Sequence, residues 1–308
     1  MGNEAIADLV DTSDEWIVAR SGIHQRHVAA GPFLDPVTPP GPGGVGTTGA
    51  LATEAARQAL ERADLDASAI GMLVLCTCTP DQVMPPTAAA VAHALGISGG
   101  AMDVNVACAG FGYGLVTAGC LVAAGVDHLL LVGADTMTKA TNFTDRGTAF
   151  LFGDGAGALV VSAASPGSLL GWDTGVDGAL VPALYADHGD GMVMRGQEVF
   201  RNAVRATAAS VHATLKQADV DGSDIALFVP HQANSRIMEA IAERTGVPAD
   251  RIASVVADTA NTGAGSIPLA LSRAADDGRL RPGDLVLFAG FGAGMAWATS
   301  LWRWSAPR

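Results

Sequence analysis

The chain has 308 residues, enough for one large or two medium domains with a sizeable core. Hydrophobic residues make up 49% and charged residues 16%, which excludes a disordered chain. A net charge of −13 argues against a general nucleic-acid or anionic-membrane surface, so an acidic partner needs a local basic patch.

Residues 1–28 are polar and carry Trp16 with Arg20, His24 and Arg26; Asp11 or Thr12 is expected to cap a short helix through Ile17. A Pro- and Gly-rich stretch, 31–46, reads as a surface loop. Helical spacing over 47–63 puts Leu51, Ala55, Ala59 and Leu60 on one side. An apolar run of strand length follows at 71–78, with Cys76 and Cys78 expected on one face, and 87–95 is helical again. The sequence NVACAGFGYGL, 105–115, sets Cys108 where an extended lead-in, 101–106, meets a helix over 111–124. Gly110, Gly112 and Gly114 are expected to let the backbone bend sharply there and a ligand come close. A cysteine at a helix N-terminus favours thiolate, whereas a cysteine merely set among Ala and Val is a small buried hydrophobe. A buried strand, 128–133, and a glycine-rich hairpin-like stretch, 152–163, come next. There GDGAG, 153–157, does not fit GxGxxG; turn geometry is expected, with Asp154 bonding backbone N–H groups.

The second half repeats the pattern. ADLDASAI, 63–70, matches ADVDGSDI, 218–225, at an offset of 155, and each octet precedes an apolar strand, GMLVL or ALFVP. The same offset carries Cys76 onto His231 and Cys108 onto Gly263, inside ANTGAGSIPLAL. The strand at 128–133 has its counterpart at 285–290. The chain is therefore read as two copies of one alternating α/β unit, residues 1–165 and 166–308, with mostly parallel sheets covered on both faces. Ligands in such sheets bind beyond the carboxyl ends of strands. Turns in those places are expected to bring Cys108, His231 and Asn261 together if the two halves pack with pseudo-two-fold symmetry.

These three have the right types for covalent acyl chemistry: a thiolate to attack a thioester carbonyl, an imidazole and a carboxamide to donate to a developing oxyanion. Each has a plainer reading, His231 as a locally bonded strand-end histidine and Asn261 as a turn residue. Four cysteines, Cys76, Cys78, Cys108 and Cys120, form neither a disulfide scaffold nor a CxxC pair. No metal site is expected, and reducing cytoplasm is the natural compartment. No signal peptide, membrane-length apolar run or myristoylation signal is visible.

ACAGFGYGL, DTSDEWI, DRGTAFLFGDGAGA, VPHQAN and NTGAGSIPLAL stand in the order and spacing of β-ketoacyl-acyl-carrier-protein synthase III, and the chain resembles that family of the thiolase superfamily over nearly its whole length. The resemblance implies a thiolase-like fold, two βαβαβαββ-type halves in a five-layer arrangement, usually a homodimer. It implies that Cys108 is acylated from acyl-CoA, and that His231 and Asn261 support decarboxylation of malonyl-acyl-carrier protein. The resulting carbanion attacks the acyl-Cys108 carbonyl, whose oxyanion takes the backbone N–H groups of Cys108 and Ala293. No bound cofactor is implied. Trp16 resembles the adenine-stacking residue of the family, with Arg146 on its other face, Thr12 and Arg20 nearby, and Ala233 and Asn234 lining the pantetheine tunnel. Arg195, Arg201, Arg205, Arg236 and Arg244 concentrate in the second half, and Arg201 and Arg236 match positions that meet the acidic carrier protein. The plainer meaning of such a cluster is a solvated helix face. Met84 matches a position where the dimer partner closes the acyl pocket; core packing is the ordinary role of a methionine.

Three departures stand out. Family members carry a strand and loop ahead of the DTSDEWI region, whereas this chain starts almost at it. That strand is expected to be central in the first sheet, so its loss would leave ladder groups unpaired at several kcal/mol or more. A mis-set start or a truncated chain is the reading. The segment between Leu180 and Met192 is short, and it borders the acyl pocket. Ala260 and Ala293 replace family glycines, both small enough for the geometry to survive.

Three rivals are weighed against the condensing enzyme. An acyltransferase to an alcohol, amine or carrier thiol would need a base and has no enolate to stabilise, so the His231–Asn261 pair argues against it. A non-catalytic partner subunit would be favoured by loss of Cys108, which is present. A papain-like hydrolase conflicts with the duplicated α/β pattern.

Overall fold

A computed structural model describes residues 1–29, 46–163, 168–187 and 191–305. The loop expected at 31–46 and the junction expected at 165/166 lie almost wholly or wholly outside the described residues.

In chain order the first sheet and its helices are α1 (Asn3–Ala7), α2 (Asp14–Ser21), α3 (Thr48–Ala63), β1 (Met72–Cys76), α4 (Thr87–Leu95), β2 (Gly100–Val104), α5 (Gly110–Ala123), β3 (His128–Thr136) and β4 (Asp154–Ser162). There follow β5 (Leu169–Val176), β6 (Leu184–Asp187), β7 (Gly191–Met194), α6 (Gly196–Ala218), β8 (Leu227–Pro230), α7 (Ser235–Thr245), α8 (Val256–Thr259), α9 (Ser266–Asp276), β9 (Leu285–Gly292) and β10 (Ala296–Arg303). One sheet has the order β2-β1-β3-β4, parallel except for β4. The other has the order β5-β10-β9-β8, with β8 and β9 parallel and the remaining pairs antiparallel. β6 and β7 make a separate antiparallel hairpin.

The duplicated octet has a structural reason. Asp64 and Asp219 end α3 and α6 in the left-handed conformation, φ 51° and 55°. Two residues later Asp66 and Asp221 cap short 3-10 turns that turn the chain into β1 and β8. One polar octet therefore stops a helix and starts a strand in both places.

The strands alternate between two apolar layers, as period-2 side chains must. Val74 and Leu131 of the first sheet and Val229, Val286 and Phe288 of the second face a shared core with Phe111, Leu115, Ile267 and Leu271. Thus α5 and α9, the two helices that follow the small-residue turns, fill the middle layer. Leu73, Leu75, Leu130 and Val132 face out beneath α3 and α4. Phe228, Leu287 and Leu301 face out beneath α6 and α7. The result is the expected five-layer α/β/α/β/α stack.

Several expectations need correcting. The four strands of the first sheet pair without interruption, so no central strand is missing; a further strand has room only at an edge. Ser13, not Asp11 or Thr12, caps α2, its side chain accepting from Trp16 N at 3.2 Å. The hairpin-like stretch is the single strand β4, and GDGAG opens that strand rather than turning. Asp154 does bond backbone N–H groups as expected, accepting from Thr138 N at 2.8 Å and Ala29 N at 2.9 Å. Cys78 lies beyond the end of β1, so it shares no strand face with Cys76.

Candidate active site

The turn that carries Cys108 is bent by a residue the sequence does not single out. Gly110, Gly112 and Gly114 lie inside α5 with ordinary helical backbone, and the positive φ, 46°, belongs to Ala107. The glycines serve packing instead. A Cβ on Gly112 would lie 2.9 Å from the Ala298 Cβ of β10, and one on Gly114 would lie 2.5 Å from Cys76 Sγ of β1. Their absence seats α5 between the two sheets and so fixes Cys108 at its N-terminal end. Gly292, at the end of β9, comes equally close: a Cβ there would meet Cys108 N at 2.8 Å. That contact brings Ala293 beside the nucleophile turn.

The expected thiolate is not the resting state. Cys108 is 8% exposed, and burial, then the Asp135 carboxylate, push its thiol up to about 12. A rise of that size is worth roughly 4 kcal/mol, against ~0.3–1 kcal/mol from a helix end. The proton therefore has to leave as the acyl group arrives.

His231 follows β8, and its backbone N–H continues the ladder to Ala289 O at 2.8 Å. The ring is buried, packs edge-on against Phe291 at 5.0 Å, and has Nδ1 2.6 Å from Ser266 Oγ at the start of α9. Burial pulls its pKa down to about 3, so the imidazole is neutral at working pH. Gln232 braces the turn from beneath, donating to Pro230 O and Ala253 O and accepting from Val255 N. Asn261 is held by its own N–H to Leu151 O at 2.9 Å, and its Oδ1 accepts from Gly263 N at 2.9 Å. With the oxygen engaged, the Nδ2 end is left for a ligand. Ala260, before it, has φ 55° and ψ −160°, a region that glycine occupies easily and alanine does not.

Cys108, His231, Asn261 and Ala293 line one cavity of about 960 Å³. Its exposed end is formed by Trp16, Arg20, Arg146, Arg201 and Arg236, with Ala233 and Asn234 between. The Arg20 and Arg146 guanidinium carbons each lie 4.4 Å from the Trp16 ring centroid, and Phe150 meets the indole edge-on. Arg146 Nε donates to Asp11 O, and Asn234 Nδ2 donates to Arg20 O at 2.8 Å. Met137, Phe152, Leu184 and Met192 supply apolar walls. Thr12 does not line the cavity, and Met84, expected at the pocket of a dimer partner, is 79% exposed beside Val83 and outside this chain's cavity. Among the described residues no cluster of His, Cys, Asp or Glu could hold a metal ion, and no helix is long and apolar enough to cross a membrane.

The match to known proteins is decisive at this point. The family model of 3-oxoacyl-[acyl-carrier-protein (ACP)] synthase III matches residues 102–178, and that of its C-terminal region matches residues 215–304. The β-ketoacyl-[acyl-carrier-protein] synthase III of Novosphingobium aromaticivorans is 43% identical, over 98% of this chain and 94% of its own length.

The chain belongs to the 3-oxoacyl-[acyl-carrier-protein] synthase III family.

It has the thiolase-like fold of that family. The solved synthase III of Aquifex aeolicus VF5 superposes with a TM-score of 0.92 at 35% identity, covering 99% of this chain and 95% of that one. A priming β-ketosynthase from the R1128 polyketide pathway superposes at 0.90 with 33% identity, covering 100% and 93%. A synthase III chain is a condensing acyltransferase, and two residues not singled out in the sequence, Ser266 inside NTGAGSIPLAL and Asp135 outside the motifs, touch the candidate site. Ser266 touches His231, and Asp135, fully buried at the end of β3, touches the Asn261 turn. The signal for Asp135 was present in HLLLVGADT: a lone acid directly after the apolar run LLLVGA of a buried strand.

Proposed function

We propose that the chain condenses an acyl group from acyl-CoA with malonyl-acyl-carrier protein, in the cytoplasm and as a homodimer, initiating a fatty acid or polyketide chain. The observation that carries the reading is the convergence of Cys108, His231 and Asn261 at the buried end of one cavity whose open end presents a tryptophan flanked by arginines. Residues 1–165 supply the nucleophile and residues 166–308 the imidazole and carboxamide.

An adenine stacks on Trp16 with Arg146 and Arg20 beside it, Thr12 lies behind, and the pantetheine arm passes Ala233 and Asn234. Cys108 Sγ bonds to the thioester carbonyl carbon, the bond to coenzyme A sulfur breaks, and the thiol proton departs on coenzyme A. Arg201 and Arg236 then receive an acidic carrier protein at the exposed rim. Loss of carbon dioxide from the malonyl group leaves an enolate, whose oxygen takes hydrogen bonds from His231 Nε2 and Asn261 Nδ2. A neutral imidazole donates from Nε2 only if Nδ1 is unprotonated. Ser266 suits that tautomer: its Oγ accepts from Gln232 N at 3.3 Å, and Nδ1, at 2.6 Å, is an acceptor within reach of its hydroxyl proton. The enolate carbon attacks the acyl-Cys108 carbonyl, the N–H groups of Cys108 and Ala293 hold the oxyanion, and Cys108 leaves and takes a proton from solvent. Exposed Met84 and Val83 suit closure of a partner's pocket in the dimer. The chemistry calls for no bound cofactor.

The test is intact-mass measurement after incubation with a panel of acyl-CoAs, followed by carbon dioxide release from malonyl-acyl-carrier protein. One acyl adduct, absent in Cys108→Ala, together with carbon dioxide is expected. Neither signal with any primer would refute the reading.

A further inference from the structure

We propose that Asp135 is a positioning residue for the decarboxylation step: its carboxylate anchors the Asn261 turn of the second sheet to the end of β1 in the first. The inference rests on the condensation proposed above and extends it to a group that touches no substrate.

The carboxylate is completely buried and is divided between two segments. Oδ1 accepts from Thr77 Oγ1 at 2.9 Å, Cys78 N at 2.8 Å, Thr79 N at 3.1 Å and Thr79 Oγ1 at 2.8 Å. All four donors belong to the chain just past β1. Oδ2 accepts from Ala264 N at 2.7 Å, 129 residues away in the chain. That N–H lies in the turn that carries Asn261, and the turn rests directly on the carboxylate. A Cβ on Gly263 would lie 2.2 Å from Oδ2, and Gly263 has φ +57°. Gly263 N in turn holds Asn261 Oδ1. The chain of contacts therefore runs from Oδ2 through Ala264 and Gly263 to the carboxamide of Asn261, a residue that lines the cavity. No lysine or arginine pairs with Asp135 among the described residues; backbone and hydroxyl donors do all the compensating.

An anion that served only stability would treat its two sides alike, so the variants are chosen to separate them. Asp135→Asn keeps shape but has one oxygen and one NH2. The oxygen serves the four donors past β1, and the NH2 then opposes the Ala264 N–H, freeing the turn. Thr77→Val removes a donor on the opposite side and leaves the Ala264 bond. Replacing the Ala264 amide with an ester, by incorporating lactic acid at that position, deletes the N–H alone and serves if Asp135→Asn does not fold.

Two half-reactions are read for each protein: acylation of Cys108 by acyl-CoA, from intact mass, and carbon dioxide release from malonyl-acyl-carrier protein without primer. Expected for Asp135→Asn and for the ester is a fall of about tenfold or more in carbon dioxide release, with acylation within about threefold of wild type in the ester and no slower than about a third of wild type in Asp135→Asn, where loss of the charge eases ionisation of Cys108. Thr77→Val is expected to stay within about threefold in both. The proposal is overturned if the ester and Asp135→Asn release carbon dioxide at the wild-type rate. It is equally overturned if both half-reactions fall together, or if Thr77→Val loses as much as Asp135→Asn. A wild type that acylates yet releases no carbon dioxide overturns the condensation itself, and Asp135's role with it.

Discussion

Replacing Ser266 with alanine removes one oxygen from a fully buried position and asks how much of the enolate chemistry depends on a histidine tautomer. Ser266 Oγ lies 2.6 Å from His231 Nδ1 and also accepts from Gln232 N at 3.3 Å. Neither His231 nor Ser266 is open to water, at 1% and 0% exposure, so no solvent molecule replaces the lost partner freely. Leaving a buried polar group unsatisfied costs ~1–3 kcal/mol. If that loss falls on the transition state, carbon dioxide release slows by about 5- to 150-fold. Acylation of Cys108 should change little, because the imidazole donates only to the later enolate. The assay is carbon dioxide release from malonyl-acyl-carrier protein without primer, beside intact-mass acylation and 15N spectra of the histidine ring. Wild-type spectra are expected to show Nε2 protonated and Nδ1 bare; in Ser266→Ala a mixture is expected. A folded Ser266→Ala protein that keeps both the pure tautomer and the wild-type rate would refute the reasoning.

Ala260→Gly should stabilise the protein by about 0.5–2 kcal/mol, since relief of ~1–3 kcal/mol of backbone strain at φ 55°, ψ −160° is partly offset by the looser unfolded chain. Denaturant melts of the two proteins decide it; a less stable glycine variant would show that Ala260 is unstrained. Acid should also destabilise the fold through His231. Its pKa is pulled down to about 3 by burial, below the unfolded value near 6.5, so the unfolded chain binds the extra proton. This share of stability is complete above about pH 6.5 and is lost as pH falls towards 3, by about 1 kcal/mol between pH 6.5 and 5.5. In His231→Gln that part of the stability–pH slope should disappear, and an unchanged slope would argue that the imidazole is not buried neutral.

Much of the architecture was legible because it is local. The octet at 63–70 and 218–225 stops a helix with a left-handed Asp and starts a strand, and both acts depend on neighbours within a few residues. Fully apolar strands that alternate with helices imply sheets covered on both faces, and so a layered α/β fold. Cys108, His231 and Asn261 were legible as residue types after matched turns, and the family motifs added the rest. What the sequence alone could not decide depends on contacts across the two sheets. The thiol of Cys108 was expected to ionise at a helix end, but burial and Asp135 outweigh that dipole, and neither is visible from the turn. The glycines of α5 looked like a hinge, yet their neighbours are Ala298, Cys76 and Leu131, so they are packing contacts and Ala107 carries the bend. Asp135 and Ser266 are ordinary letters until β3 and α9 bring them against the Asn261 turn and His231. A local pattern can specify which segments turn and where a nucleophile sits. The charge state and aim of the candidate catalytic groups are decided by what is buried beside them, and burial belongs to the assembled fold.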